Sequence, residues 1–146
     1  MAKTTVHEDV HILAGVPSWT LVLLNKIVEN SNGKTIKEIW PNLELYMHGG
    51  VSFEPYQEQF EKLLNFPNMN YVQTYNASEG FFGIQVEKSS ESMLLMLDYG
   101  VFFEFLPVND LMQKHQKTLS LEEVELNKNY ALVITTNSGL WRYLIG

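Results

Sequence analysis

With 146 residues, 45% of them hydrophobic and 12% aromatic, the chain is long enough for one domain with a real core and falls in the globular class. A net charge of −7, with only 10 lysines and arginines spread thinly, argues against nucleic-acid binding. The sequence has no cysteine, which removes disulfides, thiolate nucleophiles and cysteine-based zinc sites, and no apolar stretch approaches a membrane span. The opening "MAKTTVHEDV" lacks a signal-peptide apolar core, so the expectation is a cytoplasmic protein with no membrane or nucleic-acid partner.

In chain order, Val6 to Ala14 reads as extended, and Gly15-Val16-Pro17-Ser18 as a turn into a helix. Pro17 suits the first helical position, where its missing N–H would have no partner anyway. Leu21, Leu24, Ile27 and Val28 recur at helical spacing until Ser31-Asn32-Gly33 ends the element. Thr35 and Glu38 form the pattern of a capping box for a short turn that Pro41 breaks. Leu43 to Met47 is the next strand, running into His48-Gly49-Gly50. A second helix follows Pro55 with Phe60, Leu63 and Leu64 on one face, and Asn70 to Tyr75 is the third strand. Alternating strands and helices predict parallel β-α units.

Beyond Glu79 the texture changes. Phe81–Val86, Met93–Leu97, Val101–Leu106, Tyr130–Thr136 and Leu140–Ile145 are short strand-like runs, separated by turn signals at Ser89-Ser90, Tyr99-Gly100, Asn127-Lys128-Asn129 and Asn137-Ser138-Gly139. A helix is suggested only at Asp110 to Lys117. The expected fold class is mixed α/β, with β-α-β-α-β over residues 1–80 and antiparallel strands, part of a barrel, over residues 81–146. The chain stops inside the strand-like "LWRYLIG", which reads as a piece excised from a longer protein.

His7-Glu8-Asp9-Val10-His11 fits the H-E-x-x-H pattern of zinc metalloproteases. That chemistry needs a helix to bring positions i and i+4 onto one face. In an extended segment the two imidazoles would stand roughly 13 Å apart, too far for one ion. The pattern is therefore set aside.

In open α/β sheets, ligands bind beyond the carboxyl ends of parallel strands. Three loops hold such positions: Gly15–Ser18, His48–Gly50 and Tyr75–Gly80. Gly49 and Gly50 would let the backbone approach a flat ligand. Tyr75 could stack on a base, Ser78 could donate to a phosphate oxygen, and Glu79 could hold Mg²⁺, a hard cation suited to one or two carboxylates plus phosphate oxygens. Each also has a plainer reading, as a turn, a core ring or a solvated carboxylate.

The ordered blocks "GVPSW", "IWPNLELYMHGGVSFEPY", "YNASEGFFGIQ", "FFEFLPV" and "YALVITTNSGLWRYLIG" resemble the auxin-responsive-promoter family of acyl-acid amido synthetases, members of the adenylate-forming superfamily, and look closest to its bacterial branch. The resemblance implies a piece of an adenylate-forming N-terminal domain. It also implies ATP- and Mg²⁺-dependent activation of a carboxylic acid, followed by acyl transfer to an amine such as an amino acid. By position it places Gly49 and Gly50 beside adenine and acyl substrate, Tyr75 at the adenine, Ser78 near the phosphates, and Glu79 as catalytic magnesium ligand. Asn76 falls in the same nucleotide motif, where plant relatives carry a different residue. Arg142 lies in a block that continues in the family to Gly-Asp, with the aspartate on the ribose hydroxyls, so Gly146 is expected to be followed by aspartate.

The family's phosphate loop and catalytic-lysine lid have no counterpart in these 146 residues, so the chain alone is expected to be folded but inactive and prone to self-association. Trp19, Phe53, Phe81 and Phe82 are aromatics available to line an acyl pocket. The alternative is a non-catalytic nucleotide- or acyl-binding module with a degenerate pocket.

Overall fold

The computed structural model describes residues 1–88, 90, 92–114 and 116–145. Contacts divide the chain into two units, residues 1–95 and 96–146. In the first, the elements run α1 (Ala2–Thr5), β1 (Ile12–Gly15), α2 (Pro17–Asn30), α3 (Ile36–Ile39), β2 (Leu45–Gly49), α4 (Gln57–Leu63), β3 (Asn70–Ala77), β4 (Gly80–Gln85) and β5 (Met93–Leu95). They build one sheet in the order β1-β2-β3-β4-β5. β1, β2 and β3 are parallel, and β4 and β5 continue antiparallel.

The local signals explain the helices. Pro17 opens α2, and Leu21, Leu24 and Ile27 are its buried stripe. The capping box forms as its pattern predicts: the Glu38 amide donates to Thr35 Oγ1 at 3.3 Å and the Thr35 amide donates to Glu38 Oε2 at 2.7 Å. Phe60 of α4 stacks on Tyr46 of β2 with ring centroids 4.5 Å apart. Leu21, Leu24, Ile27, Ile36, Trp40, Tyr46, Phe60 and Leu64 thus form one cluster between the helices and one face of the sheet. Because side chains alternate along a strand, Met47 and Gly49 of β2 turn to the opposite face.

The N-terminal segment corrects the sequence reading. Residues 2–5 are helical, residues 6–11 form a turn and loop, and the extended path begins only at Ile12. The Trp40 indole N–H donates to the Thr5 carbonyl at 2.9 Å, and Ala2, Val6 and Val10 pack against the core cluster. Burial of these apolar residues draws the segment back onto the helices instead of along the sheet. His7 to His11 therefore lie on no helix, and the geometry that a H-E-x-x-H site needs is absent from them.

The second unit is a sheet of β6 (Val101–Pro107), β7 (Tyr130–Thr136) and β8 (Tyr143–Leu144), all antiparallel. Phe103, Phe105, Leu106, Val133, Ile134 and Ile145 are buried. β8 is shorter than the run Leu140–Ile145 suggests. The Thr136 amide donates to the Leu140 carbonyl at 2.9 Å, and Arg142 adopts a left-handed backbone with φ of 45°, so extension starts only at Tyr143. Instead of a helix after Asp110, a 3-10 turn covers Val108–Asp110, and Leu119 pairs with Phe105 through bonds of 2.8 and 2.9 Å. That pairing pulls the chain straight. The contact division at 95/96 leaves β4 and β5 with the first sheet, whereas the sequence reading sets its division at 80/81. Ser89 of the turn expected at Ser89-Ser90, His115 within the 110–117 run, and Gly146 fall outside the described residues.

Candidate active site

The parallel pairing of β1, β2 and β3 closes at Gly15, Gly49 and Thr74, and β3 continues to Ala77. At these ends, on the face away from the helices, Ala14, Gly15, Val16, Met47, Gly49, Gly50, Thr74, Asn76 and Phe81 line a cleft of about 400 Å³. Of the residues singled out in the sequence, Gly49, Gly50, Asn76 and Phe81 are brought together here. Gly49 is held by crowding: a Cβ there would collide with the Thr74 carbonyl oxygen and stand 2.9 Å from Thr74 Oγ1. Gly50 has φ of 81°, a conformation that side chains resist.

β3 and β4 form a hairpin whose two-residue connection is Ser78-Glu79. The register shifts between Tyr75, opposite Gly83, and Asn76, opposite Phe81, so Phe82 is the extra residue of a bulge. Ser78 is exposed and Glu79 half-buried. The Glu79 carboxylate has no hydrogen-bond or ion-pair partner among the described residues, which leaves its oxygens open to a cation. Tyr75 is half-buried beside Phe82, ring centroids 5.3 Å apart and edge-on, and burial pushes its phenol pKa upward. It is not part of the cleft lining.

Arg142, in the second unit, is already engaged. Its Nε donates to Glu104 Oε2 at 3.2 Å and its Nη2 to Thr118 Oγ1 at 3.0 Å, with Nη2 also 3.0 Å from Glu104 Oε1. The Thr118 hydroxyl donates to Glu104 Oε1 at 2.6 Å. The other aromatics separate: Trp19 is 76% exposed on α2, Phe82 is fully buried, and Phe53 stacks on His48 with centroids 4.0 Å apart.

Two side chains to which the sequence reading gave no role stand out. His48 is 4% exposed and its Nδ1 has no hydrogen-bond partner among the described residues, nor has the Tyr71 hydroxyl. Desolvation lowers the His48 pKa and, with Glu61 nearby, pushes Tyr71 up to about 12, so both are neutral near pH 7. They line a second cavity of about 790 Å³ with Ser52, Phe53 and Gln73. Thr74 was also missed, a threonine within a strand pattern carrying no distinguishing local signal.

Among the described residues no helix is long and apolar enough to cross a membrane, and no group of three or more His, Asp or Glu side chains is placed to hold a metal.

Residues 1–69 match the GH3 family N-terminal domain, and residues 94–146 match the GH3 family central domain. Indole-3-acetic acid-amido synthetase GH3.3 of Arabidopsis thaliana is 33% identical over 125 residues, covering 81% of this chain and 20% of that protein. GH3.4 of the same plant, of the same description, is 35% identical over 128 residues, covering 81% and 21%. The chain thus spans about a fifth of the length of these relatives. The solved GH3.15 acyl acid amido synthetase superposes with a TM-score of 0.70 at 19% identity, over 97% of this chain and 35% of that one. A long-chain-fatty-acid-CoA ligase of Archaeoglobus fulgidus gives 0.54 at 16% identity, over 92% and 26%. These two likenesses concern the fold: a mixed α/β architecture shared with both enzymes.

Proposed function

The chain belongs to the GH3 family, and from that premise we propose that the full-length protein is an ATP-dependent acyl-acid amido synthetase, to which this chain contributes part of the nucleotide and acyl site. The observation that carries the reading is the cleft at the carboxyl ends of three parallel strands, bordered by the Gly49-Gly50 loop and leading along β3 to the unpartnered carboxylate of Glu79. The relatives' names describe the joining of an acid to an amine, and the site chemistry suits the activation such a reaction needs.

In this reading the Glu79 carboxylate would hold Mg²⁺, which would supply charge neutralisation for the ATP phosphates and the departing pyrophosphate. Ser78, exposed beside Glu79 at the hairpin tip, offers a hydroxyl to a phosphate oxygen. Gly49 and Gly50 admit the ligand close to the backbone, and the ring of Tyr75 supports the hairpin from which Asn76, Ser78 and Glu79 project. A carboxylic acid attacks the α-phosphorus through its oxygen, pyrophosphate leaves, and the acyl-adenylate then yields to an amine, releasing AMP. The full-length protein carries the activity, and the 146-residue chain alone does not turn over.

The test is pyrophosphate release by the full-length protein with Mg²⁺, ATP and a panel of carboxylic acids, followed by amide formation when amino acids are added. Acid-dependent release that requires Mg²⁺ supports the synthetase. ATP binding with no release for any acid favours the binding module.

A further inference from the structure

The cleft has a single outward-facing polar device. Its lining is apolar at Ala14, Val16, Met47 and Phe81, and among the described residues its only polar side chains are Thr74 and Asn76. The Thr74 hydroxyl lies 3.0 Å from Asn76 Oδ1, to which it donates, and is shared with the His48 carbonyl at 3.2 Å. Asn76 Nδ2 makes no hydrogen bond among the described residues. Gly49 makes room for the arrangement, since a Cβ there would crowd Thr74 Oγ1 at 2.9 Å and Asn76 Oδ1 at 3.2 Å. With the amide oxygen occupied by Thr74, its two N–H donors remain for a ligand.

We propose that Asn76 is a specificity-determining residue of the cleft, oriented by Thr74, whose amide donates to a neutral oxygen carried on the organic body of the acid. This rests on the acid-activating reading above. A neutral donor in an otherwise apolar cleft without charged side chains favours an ether, carbonyl or hydroxyl oxygen over a second carboxylate, whose desolvation would go uncompensated. A volume of about 400 Å³ suits a small ring better than a long chain. Thr74 acts through Asn76 and is a positioning residue.

The test uses the full-length protein with phenylacetate and its 2-, 3- and 4-methoxy derivatives, with Kd measured by calorimetry without ATP. The wild type should prefer one methoxy isomer over phenylacetate by about five- to tenfold, one neutral hydrogen bond's worth. Asn76→Ala, at an exposed position, should erase that preference. Thr74→Val should erode it in the same direction, and Asn76→Asp should invert it by repelling the oxygen. No preference in the wild type, or a preference that survives Asn76→Ala, overturns the assignment. So does a loss confined to ATP affinity, which would make Asn76 a nucleotide contact. Pyrophosphate release is followed separately: an Asn76-dependent preference without release refutes the synthetase reading and leaves the assignment standing.

Discussion

Gly49 and Thr74 are in contact so close that no side chain fits between them: a Cβ on Gly49 would strike the Thr74 carbonyl oxygen and press on its hydroxyl. The two residues are the last register partners of the parallel pair β2 and β3. Gly49→Ala should therefore part the strand ends and destabilise the fold by about 1–3 kcal/mol, the usual range for overpacking. Gly50→Ala should cost about 1–2 kcal/mol through its left-handed backbone instead. Urea denaturation checks both, and a neutral Gly49→Ala would mean that β2 and β3 separate freely at this end.

Glu79→Gln in the full-length protein should lower acid-dependent pyrophosphate release by at least ~100-fold, about 2.7 kcal/mol of transition-state stabilisation. The substitution keeps size and removes the charge that, in the proposed reading, would hold Mg²⁺. Near-normal release would reduce Glu79 to a hairpin residue.

Burial of His48 makes stability pH-dependent. Its pKa is lowered in the folded state, so below the ordinary histidine value of 6.5 the unfolded chain binds a proton that the folded chain refuses. Stability should fall as pH drops below 6.5, down to the depressed folded pKa. Replacing His48 by Gln should flatten this part of the melting-temperature profile between pH 6.5 and the onset of carboxylate titration. An unchanged slope would place the titration elsewhere.

Glu104, its side chain 16% exposed, depends on Arg142 to offset its burial. Arg142→Ala leaves that carboxylate with the Thr118 hydroxyl but no opposite charge and should cost about 1–3 kcal/mol, while Glu104→Gln in the same background should recover part of the loss. A double-mutant cycle by urea denaturation measures the coupling. Purely additive losses would show that the pair contributes nothing beyond its separate parts.

Local chemistry carried much of the fold. Pro17 as helix opener, the Thr35–Glu38 capping box, the apolar stripe of α2 and the period of β2, β3 and β7 are all legible within a few residues, because caps and periodicity depend on near neighbours. Strand-end loops likewise drew attention to Gly49 and Gly50, whereas Asn76 entered only through the resemblance to a family motif. The tertiary structure decided what depends on distant partners. Only pairing with β4 shows that a bulge separates Tyr75 from Asn76 and makes Ser78-Glu79 a hairpin tip. Only the sheet register sets Gly49 against Thr74, and only the reach across β7 commits Arg142 to a glutamate 38 positions away. The N-terminal segment shows the same division: Val6 to Ala14 reads as extended, yet Ala2, Val6 and Val10 pack, partly buried, against the core cluster. Such long-range burial leaves no trace in a local window, so it had to be read from the folded chain.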